Sequence, residues 1–540
     1  MAKRYGPSGR TKRGGSQERA ERNGQPDKRD RRRGPSSASA SSAVSAPVAM
    51  QERVKVQVNG IGHEGEGVGR TDGFTLFVHG ALPGEQVEAQ VTGIKKQYGF
   101  ARLLQVLEPS PQRVEPPCPV FGECGGCQLQ HLDYEAQLQW KRRHVADNLR
   151  RIGKLHVAGL GEVGEGSAPG RSLNGEEEAR TPTVAALVDA ADPVAAGVVV
   201  HPTIGMADPW RYRNKVQVPF GERDGRVVAG FFATGSHRIV DAERCLIRSE
   251  TADAIVSIVK EEAGQLGIPA YDAGKQSGLR HVIVKTGFHT GETMIVLVTD
   301  KRKLPHAKEL AARIVKRVPG VASVCHNVHD GSDGTVMGAE TSVLWGNDRI
   351  YDTIGDVRFA ISAHSFYQVN PTQTEVLYGK ALEYAGLTGN ETVIDAYCGV
   401  GTISLFLAQR AKRVYGVEVV PEAIEDARRN AELNGIDNVE FAVGKAEEVL
   451  PTWRAAGVRA DVIVVDPPRK GCDAALLETI VAMQPRRVVY VSCNPSTLAR
   501  DLRLLEDGGY RTVEVQPVDM FPHTVHVESV ALLVRNGTDR

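Results

Sequence analysis

Val462-Ile-Val-Val465 runs straight into Asp466-Pro-Pro-Arg469, and Arg487-Val-Val-Tyr490 runs into Val491-Ser-Cys493-Asn-Pro495. Each is a short apolar run closed by a proline-bearing turn, the pattern of a strand buried on both faces of a parallel sheet. Strands of open α/β sheets end at the edge where ligands bind. The two stretches therefore bring a carboxyl group, Asp466, and a thiol, Cys493, to one edge and make Cys493 a candidate nucleophile beside a cofactor pocket.

Working outward, strands and helices alternate over residues 356–540. Asn370-Pro371 opens a helix with a capping side chain and a proline at the first helical position. Strand Val393-Ile-Asp395 follows, then a glycine turn and a helix, then strand Val414-Tyr-Gly-Val-Glu418, then a helix from Pro421 to Asn434 stopped by Gly435. This order predicts a doubly wound α/β domain. In Asp395-Ala-Tyr-Cys-Gly399-Val-Gly401-Thr402, two glycines between strand and helix let a ligand approach the backbone, and Glu418 ends the next strand where ribose hydroxyls could be met. Nicotinamide enzymes use a similar turn, but their third glycine is missing: position 404 is Ser. With the Asp-Pro-Pro-Arg strand end, the pattern instead resembles S-adenosylmethionine-dependent methyltransferases.

The 540 residues allow roughly three domains. Lys+Arg and Asp+Glu both number 66, so net charge announces no nucleic-acid partner. The charge is unevenly spread: residues 1–50 hold 12 basic and 4 acidic side chains, a net +8, which leaves −8 on the rest. That segment has almost no large apolar side chains and reads as a disordered basic tail, either plain solvated chain or a non-specific phosphate-binding arm. No apolar stretch has the length of a signal peptide core or a membrane span, so a cytoplasmic protein is expected. The eight cysteines are then expected as metal ligands or catalysts, not disulfides.

Residues 51–111 alternate apolar and polar positions in runs at 54–58, 74–78, 86–91 and 100–106, separated by glycine turns, which predicts a small barrel of the oligonucleotide-binding type. Lys95, Lys96, Gln97, Tyr98 and Phe100 gather basic and aromatic groups at one turn, suited to phosphate and base contact, although Phe100 could equally be core. Residues 112–355 form an α+β middle region with predicted strands at 278–285 and 293–299, and the Gly-, Ala- and Glu-rich stretch 155–200 reads as a flexible insertion. Cys118, Cys124 and Cys127 are spaced C-x5-C-x2-C, with Cys245 as an available fourth thiol. Four thiolates suit a [4Fe–4S] cluster or structural zinc, and the spacing leaves both open. Radical S-adenosylmethionine enzymes use C-x3-C-x2-C instead. Cys325, Cys398 and Cys472 are expected to be buried small hydrophobes.

Read in order, Ser365-Phe-Tyr-Gln368-Val-Asn370, Tyr397-Cys-Gly399, Asp466-Pro-Pro-Arg469, Ser492-Cys-Asn-Pro495 and His526-Val-Glu528 resemble the RNA (uracil-5-)-methyltransferase family, over nearly the whole ordered chain. A leading TRAM barrel and an iron–sulfur motif resemble its 23S rRNA branch. The resemblance implies that Gln368, Tyr397, Glu418 and Asp466 line the S-adenosylmethionine pocket, and that Cys118, Cys124, Cys127 and Cys245 hold [4Fe–4S]. It implies Cys493 as nucleophile and Glu528 as base, with His526 as a neighbour able to share that role. Uracil C5 is a poor nucleophile and needs a thiolate added at C6. A free thiol of pKa about 8.5 is only a few per cent ionised at pH 7, so the helix expected after Asn494 is read as favouring the anion. The base itself must be extruded from its stack. RNA, most simply 23S rRNA, is the expected partner, with neither a membrane nor an obligate protein partner. The rivals are a tRNA enzyme of the same family, which typically lacks the barrel and cysteines, and a non-catalytic RNA-binding iron–sulfur protein.

Overall fold

The computed structural model describes residues 47–159, 197–271, 278–329 and 335–537. The expected basic tail, up to residue 46, and residues 160–196 of the expected insertion lie outside the described residues.

Strands β1 (Arg53–Ile61), β2 (Gly67–Thr71), β3 (Phe74–His79), β4 (Gln86–Ile94) and β5 (Tyr98–Glu108) close a barrel in the order β1-β2-β3-β5-β4. Period-2 patterning drives it: along β1, Val54, Val56 and Val58 are buried, while Arg53, Lys55 and Gln57 face out. β2 was not read from the sequence. Its Gly69 lies so close to β1 that a Cβ would sit 2.4 Å from the Gln57 carbonyl oxygen, so a small residue replaces the apolar signal there. Phe100 is half-buried and stands outside the barrel's core cluster, in contact with Phe77 and Tyr98 at ring separations of 5.8 and 5.6 Å. Lys95 and Lys96 are exposed on the adjoining turn.

After the barrel comes helix α1 (Tyr134–Arg151), capped by the Asp133 carboxylate. Two short strands follow, β6 (Val157–Ala158) and β7 (Val198–Val200). They correct the insertion's limits: both ends of 155–200 are pinned as strands in the C-terminal sheet, with β7 running parallel to its neighbour. The middle region is a six-stranded sheet of β8 (Lys215–Arg223), β9 (Arg226–Ala229), β10 (Leu279–Thr286), β11 (Thr293–Thr299), β12 (Val321–Val328) and β13 (Glu340–Gly346), in the order β13-β12-β11-β10-β8-β9. Helices α2 (Glu250–Gln265) and α3 (Ala307–Arg317) cover one face through Ile255, Val259, Leu310 and Ile314. The other face, with Ile283, Met294, Val296 and Val298, joins the main core of the C-terminal region. That two-sided burial explains why β11 reads as an unbroken apolar run.

A hairpin of β14 (Arg349–Ile354) and β15 (Val357–Ser362) leads into α4 (Pro371–Ala385), whose Asn370 side chain caps the Gln373 amide. Then come β16 (Thr392–Ala396), α5 (Thr402–Ala408), β17 (Arg413–Glu418), α6 (Pro421–Leu433), β18 (Val439–Val443), α7 (Ala446–Ala455), β19 (Val462–Val465), α8 (Ala474–Met483), β20 (Arg487–Ser492), α9 (Pro495–Asp507), β21 (Tyr510–Val518) and β22 (Glu528–Arg535). The sheet order is β18-β17-β16-β19-β20-β22-β21-β7-β6. β16 to β20 are parallel, with β16, β19 and β20 buried and β18 at the exposed edge, and β22 runs antiparallel between β20 and β21. This is a doubly wound sheet extended at one edge by chain from before the middle region. Helix α1 lies against α9, where Val145 and Leu149 share a core with Leu498 and Leu502. Among the described residues, no helix is long and apolar enough to cross a membrane.

Candidate active site and cysteine site

β19 and β20 run in parallel register, Val465 beside Tyr490, so Asp466 and the turn carrying Cys493 leave the same edge of the sheet. The antiparallel neighbour β22 pairs Ser529 with Ser492, so the next pair outward sets Cys493 beside Glu528. Two residues far apart in the chain thus become neighbours through strand register alone. Asn494 stabilises the turn twice: its carbonyl Oδ1 accepts the Ser496 amide as the cap of α9, and its Nδ2 donates to the Arg469 carbonyl at 3.0 Å. The Arg469 guanidinium reaches to 3.5 Å from His526 Nε2.

Electrostatics at this edge are dominated by burial. Glu528 is pushed up to about 8 by desolvation and then by the Asp466 charge, with Arg469 opposing. Asp466 is pushed up to about 7 by desolvation. Cys493 is pushed up to about 11, first by burial, then by Glu528 and Asp466, against the pull of Arg469. The expectation that the helix start favours the thiolate is corrected here: burial and two neighbouring carboxyl groups outweigh it. His526 is driven down to about 4 by burial and by Arg469, so it is neutral and a weak base. Of the two candidates, Glu528 is the one poised near neutral pH.

The predicted cofactor residues converge at the adjoining strand ends. Tyr397 directly follows β16, in the left-handed region at φ +67, and its hydroxyl approaches Cys472 and the Asp473 backbone. Glu418 accepts the backbone N–H groups of Gly399, Val419 and Val420, locking the glycine turn to the end of β17. Gln368 is nearly buried and within hydrogen-bond reach of Tyr378, which donates to Thr402 at 3.1 Å. Ser404, the residue that replaces the third glycine, donates to Asp395 Oδ2 at 2.5 Å. Asp395 Oδ1 is buried with no hydrogen-bond partner. At Gly399, φ is +56, and a Cβ built there would meet nothing within 4 Å, so the turn faces open space. An unsatisfied buried acceptor beside an open backbone cradle fits a polar, hydroxyl-bearing cofactor such as S-adenosylmethionine. Asp395 and Arg469 carry no local signal that marks them as functional; the orphaned oxygen of the first and the cross-strand approach of the second do so.

The four predicted metal-ligating cysteines also come together. Cys118, Cys124, Cys127 and Cys245 line one small cavity with Phe121, Phe231 and Arg248. Burial raises the thiols of Cys124, Cys127 and Cys245, and neighbouring cysteines push the first two in the same direction. Among the described residues, no group of three His, Cys, Asp or Glu converges closely enough to hold a single metal ion. Arg248 is fully buried in the wall of this cavity; its Nη2 lies 2.8 Å from Asp253 Oδ1, yet none of its three guanidinium nitrogens has a hydrogen bond of good geometry. Arg211 shares the same Asp253 at 2.6 Å, so cations outnumber the anion around the cavity. Four soft donors in a cavity with excess positive charge fit an anionic, thiolate-bound group. Cys325, Cys398 and Cys472 are buried, as expected.

Comparison with known proteins places these features in a family. A model described as tRNA (Uracil-5-)-methyltransferase matches residues 347–536, and a TRAM-domain model matches residues 51–104. An uncharacterized RNA methyltransferase of Halalkalibacterium halodurans is 56% identical over 493 residues, 91% of this chain and 99% of its own length. Another, from Bacillus cereus, is 50% identical over 496 residues, covering 92% of this chain and 99% of itself. Among solved structures, Pyrococcus abyssi tRNA (uracil-54, C5)-methyltransferase in complex with S-adenosyl-L-homocysteine superposes with a TM-score of 0.65 at 27% identity, over 89% of this chain and 100% of that one.

Proposed function

The chain belongs to the RNA (uracil-5-)-methyltransferase family and is an S-adenosylmethionine-dependent enzyme; from that premise we propose that it methylates C5 of a uridine in 23S rRNA through a covalent bond from Cys493 to C6. The observation that carries the chemistry is the cross-strand placement of Cys493 beside Glu528, with Arg469 and Asp466 at the same edge. Gln368, Tyr397, Glu418 and Asp466 hold the cofactor, joined by Asp395 through its free oxygen. Bound S-adenosylmethionine supplies an electrophilic methyl group on a positively charged sulfur.

Cys493 loses its thiol proton to solvent and, as the thiolate, bonds through Sγ to C6 of the extruded uracil; the electron pair of the C5–C6 double bond moves toward C5, which becomes nucleophilic, and the donor would be left as a neutral thioether when C5 takes the methyl group. Once C5 carries its new methyl group, Glu528 takes the C5 proton, the double bond re-forms, and the Sγ–C6 bond breaks to release the thiolate. Arg469 supports both steps by favouring the ionised forms of Cys493 and Glu528. The barrel's exposed Lys95, Lys96 and Tyr98 offer a contact surface whose binding energy can offset extrusion of the base.

Cys118, Cys124, Cys127 and Cys245 hold a [4Fe–4S] cluster in this reading, which is supported by four thiols lining one cavity beside the buried Arg248 and by the family resemblance. Iron and sulfide in equal amounts, with broad visible absorbance, are expected of protein purified without oxygen; zinc alone would reject the cluster. The substrate reading rests on the TRAM barrel and the cysteine site together. The full-length match to a tRNA enzyme favours tRNA as the second reading. Incubation with methyl-labelled S-adenosylmethionine and separated 23S rRNA and tRNA decides between them: label in 5-methyluridine of 23S rRNA is expected, and label in tRNA alone overturns the choice.

A further inference from the structure

The loop that delivers Glu528 rests on the cysteine site, and His523 is where the two meet most closely, beside the Tyr212 hydroxyl that donates to the Pro522 carbonyl at 3.2 Å. His523 lies five positions before Glu528, and its backbone is held in the left-handed region at φ +66, a conformation a histidine keeps only when its surroundings over-determine it. The His523 carbonyl accepts the amides of Gln128 and Leu129, both at 3.0 Å, and these are the two residues directly after Cys127. The His523 ring stacks on Trp210 with centroids 3.7 Å apart and planes 17° from parallel. The next residue, Arg211, donates from Nη1 to the Cys245 carbonyl at 2.7 Å, and its backbone amide bonds the Leu246 carbonyl at 2.8 Å. Gln137 completes the seat, accepting the His523 amide at 3.1 Å. One arm of the contact thus starts at Cys127 and the other at Cys245, and both end on His523.

We propose that His523 is a positioning residue through which the four-cysteine site fixes the loop that places Glu528 beside Cys493. The inference rests on the reading of Glu528 as the base, but not on which metal the cysteines hold. If the thiol site loosens, residues 128–129 and 210–211 lose their fixed positions, the left-handed turn at His523 relaxes, and the carboxyl group drifts from C5. Cofactor binding, built on other strand ends, stays intact.

Hydrogen–deuterium exchange of the full-length protein, read over residues 519–529, tests this with His523→Ala, Trp210→Leu and Cys245→Ala. Each substitution is expected to speed exchange there at least tenfold and to lower kcat about 10- to 100-fold, the scale of a misplaced catalytic group, while the Kd for S-adenosylmethionine stays within twofold. His523→Phe, which keeps a flat ring on Trp210, is expected to restore most of the turnover. Wild-type exchange over 519–529 in His523→Ala and Trp210→Leu overturns the proposal, as does cofactor affinity falling in step with kcat, the mark of a merely structural loss. If Cys245→Ala does not fold, the other two variants, which leave every thiol in place, still decide. Wild-type protein found free of both iron and zinc would reject the metal reading alone, and normal product release by Glu528→Gln would reject the base assignment; neither result alters the exchange measurement.

Discussion

Replacing Glu528 with Gln keeps the side chain's shape but removes its proton equilibrium, and the structure fixes what should follow for both stability and turnover. The folded chain holds the Glu528 proton up to about pH 8, whereas an unconstrained glutamate releases it near 4.5. Below pH 4.5 both the folded and unfolded states are protonated, so the residue carries no penalty. Between pH 4.5 and 8 only the unfolded state ionises, and stability therefore falls as pH rises, reaching its full loss above pH 8. At 1.36 kcal/mol per pH unit, the loss is at most about 5 kcal/mol, on the order of 2–4 after allowance for local relaxation. Gln has no such slope. The melting midpoint of Glu528→Gln should therefore match wild type near pH 5 and exceed it increasingly toward pH 8, as followed by scanning fluorimetry in a pH series. In the same variant, turnover should fall about 10²- to 10⁴-fold for want of a base. Because C5 deprotonation comes after bond formation to Cys493, a methylated protein–RNA adduct should accumulate and survive denaturing electrophoresis. A melting difference independent of pH, or normal product release by the variant, refutes the argument that this buried carboxyl group is held for catalysis.

Cys493→Ala should abolish both turnover and the adduct, and near-normal methyl transfer by it would reject the nucleophile. Arg469→Ala should shift the ascending limb of the kcat/KM pH profile, set by groups that must ionise, to higher pH and lower activity about 10- to 100-fold, with Lys restoring part; an unchanged profile would exclude a charge role. Asp466→Asn should weaken S-adenosylmethionine binding at pH 8 and flatten its rise between pH 6 and 8, where a carboxyl pushed up to about 7 ionises; titration calorimetry at three pH values reads this directly. Lys141→Met removes one partner of a fully buried ion pair with Asp519, 2.5 Å apart, and should destabilise the protein by about 3–5 kcal/mol. The double variant with Asp519→Leu should recover much of that loss in urea unfolding, since it leaves no unpaired buried charge.

Much of this fold could be read because local pattern and tertiary role agree. β16, β17, β19 and β20 are buried on both faces, so their apolar runs mark them, and α4 and α6 carry a proline at their starts. Legibility fails where pairing partners are remote or side chains are small. β2 hides because Gly67 and Gly69 are packed against neighbouring chain, and β6 and β7 because two- and three-residue strands draw their stability from an edge formed more than 300 residues later.

The site divides in the same way. Motifs gave the positions of Cys493, Asp466 and Glu418, since each ends a recognisable strand. What no local pattern contains is the charge environment. The helix after Asn494 argues for a thiolate, while the structure surrounds Cys493 with Glu528 from an antiparallel strand and Asp466 from a parallel one. Burial raises all three ionisable groups, whose charged forms repel one another and are opposed mainly by Arg469. Such an arrangement favours an incoming cation, because each carboxyl group that ionises to meet a positively charged sulfur gains more there than it would in water. The nucleophile is thus held as an unreactive thiol until the methyl donor and the RNA change the balance of charge, which protects an accessible cysteine from side reactions between turnovers. Alkylation of Cys493 by iodoacetamide should therefore be slow in the free enzyme and faster with S-adenosylmethionine bound, and equal rates in both states would contradict this account of the charges.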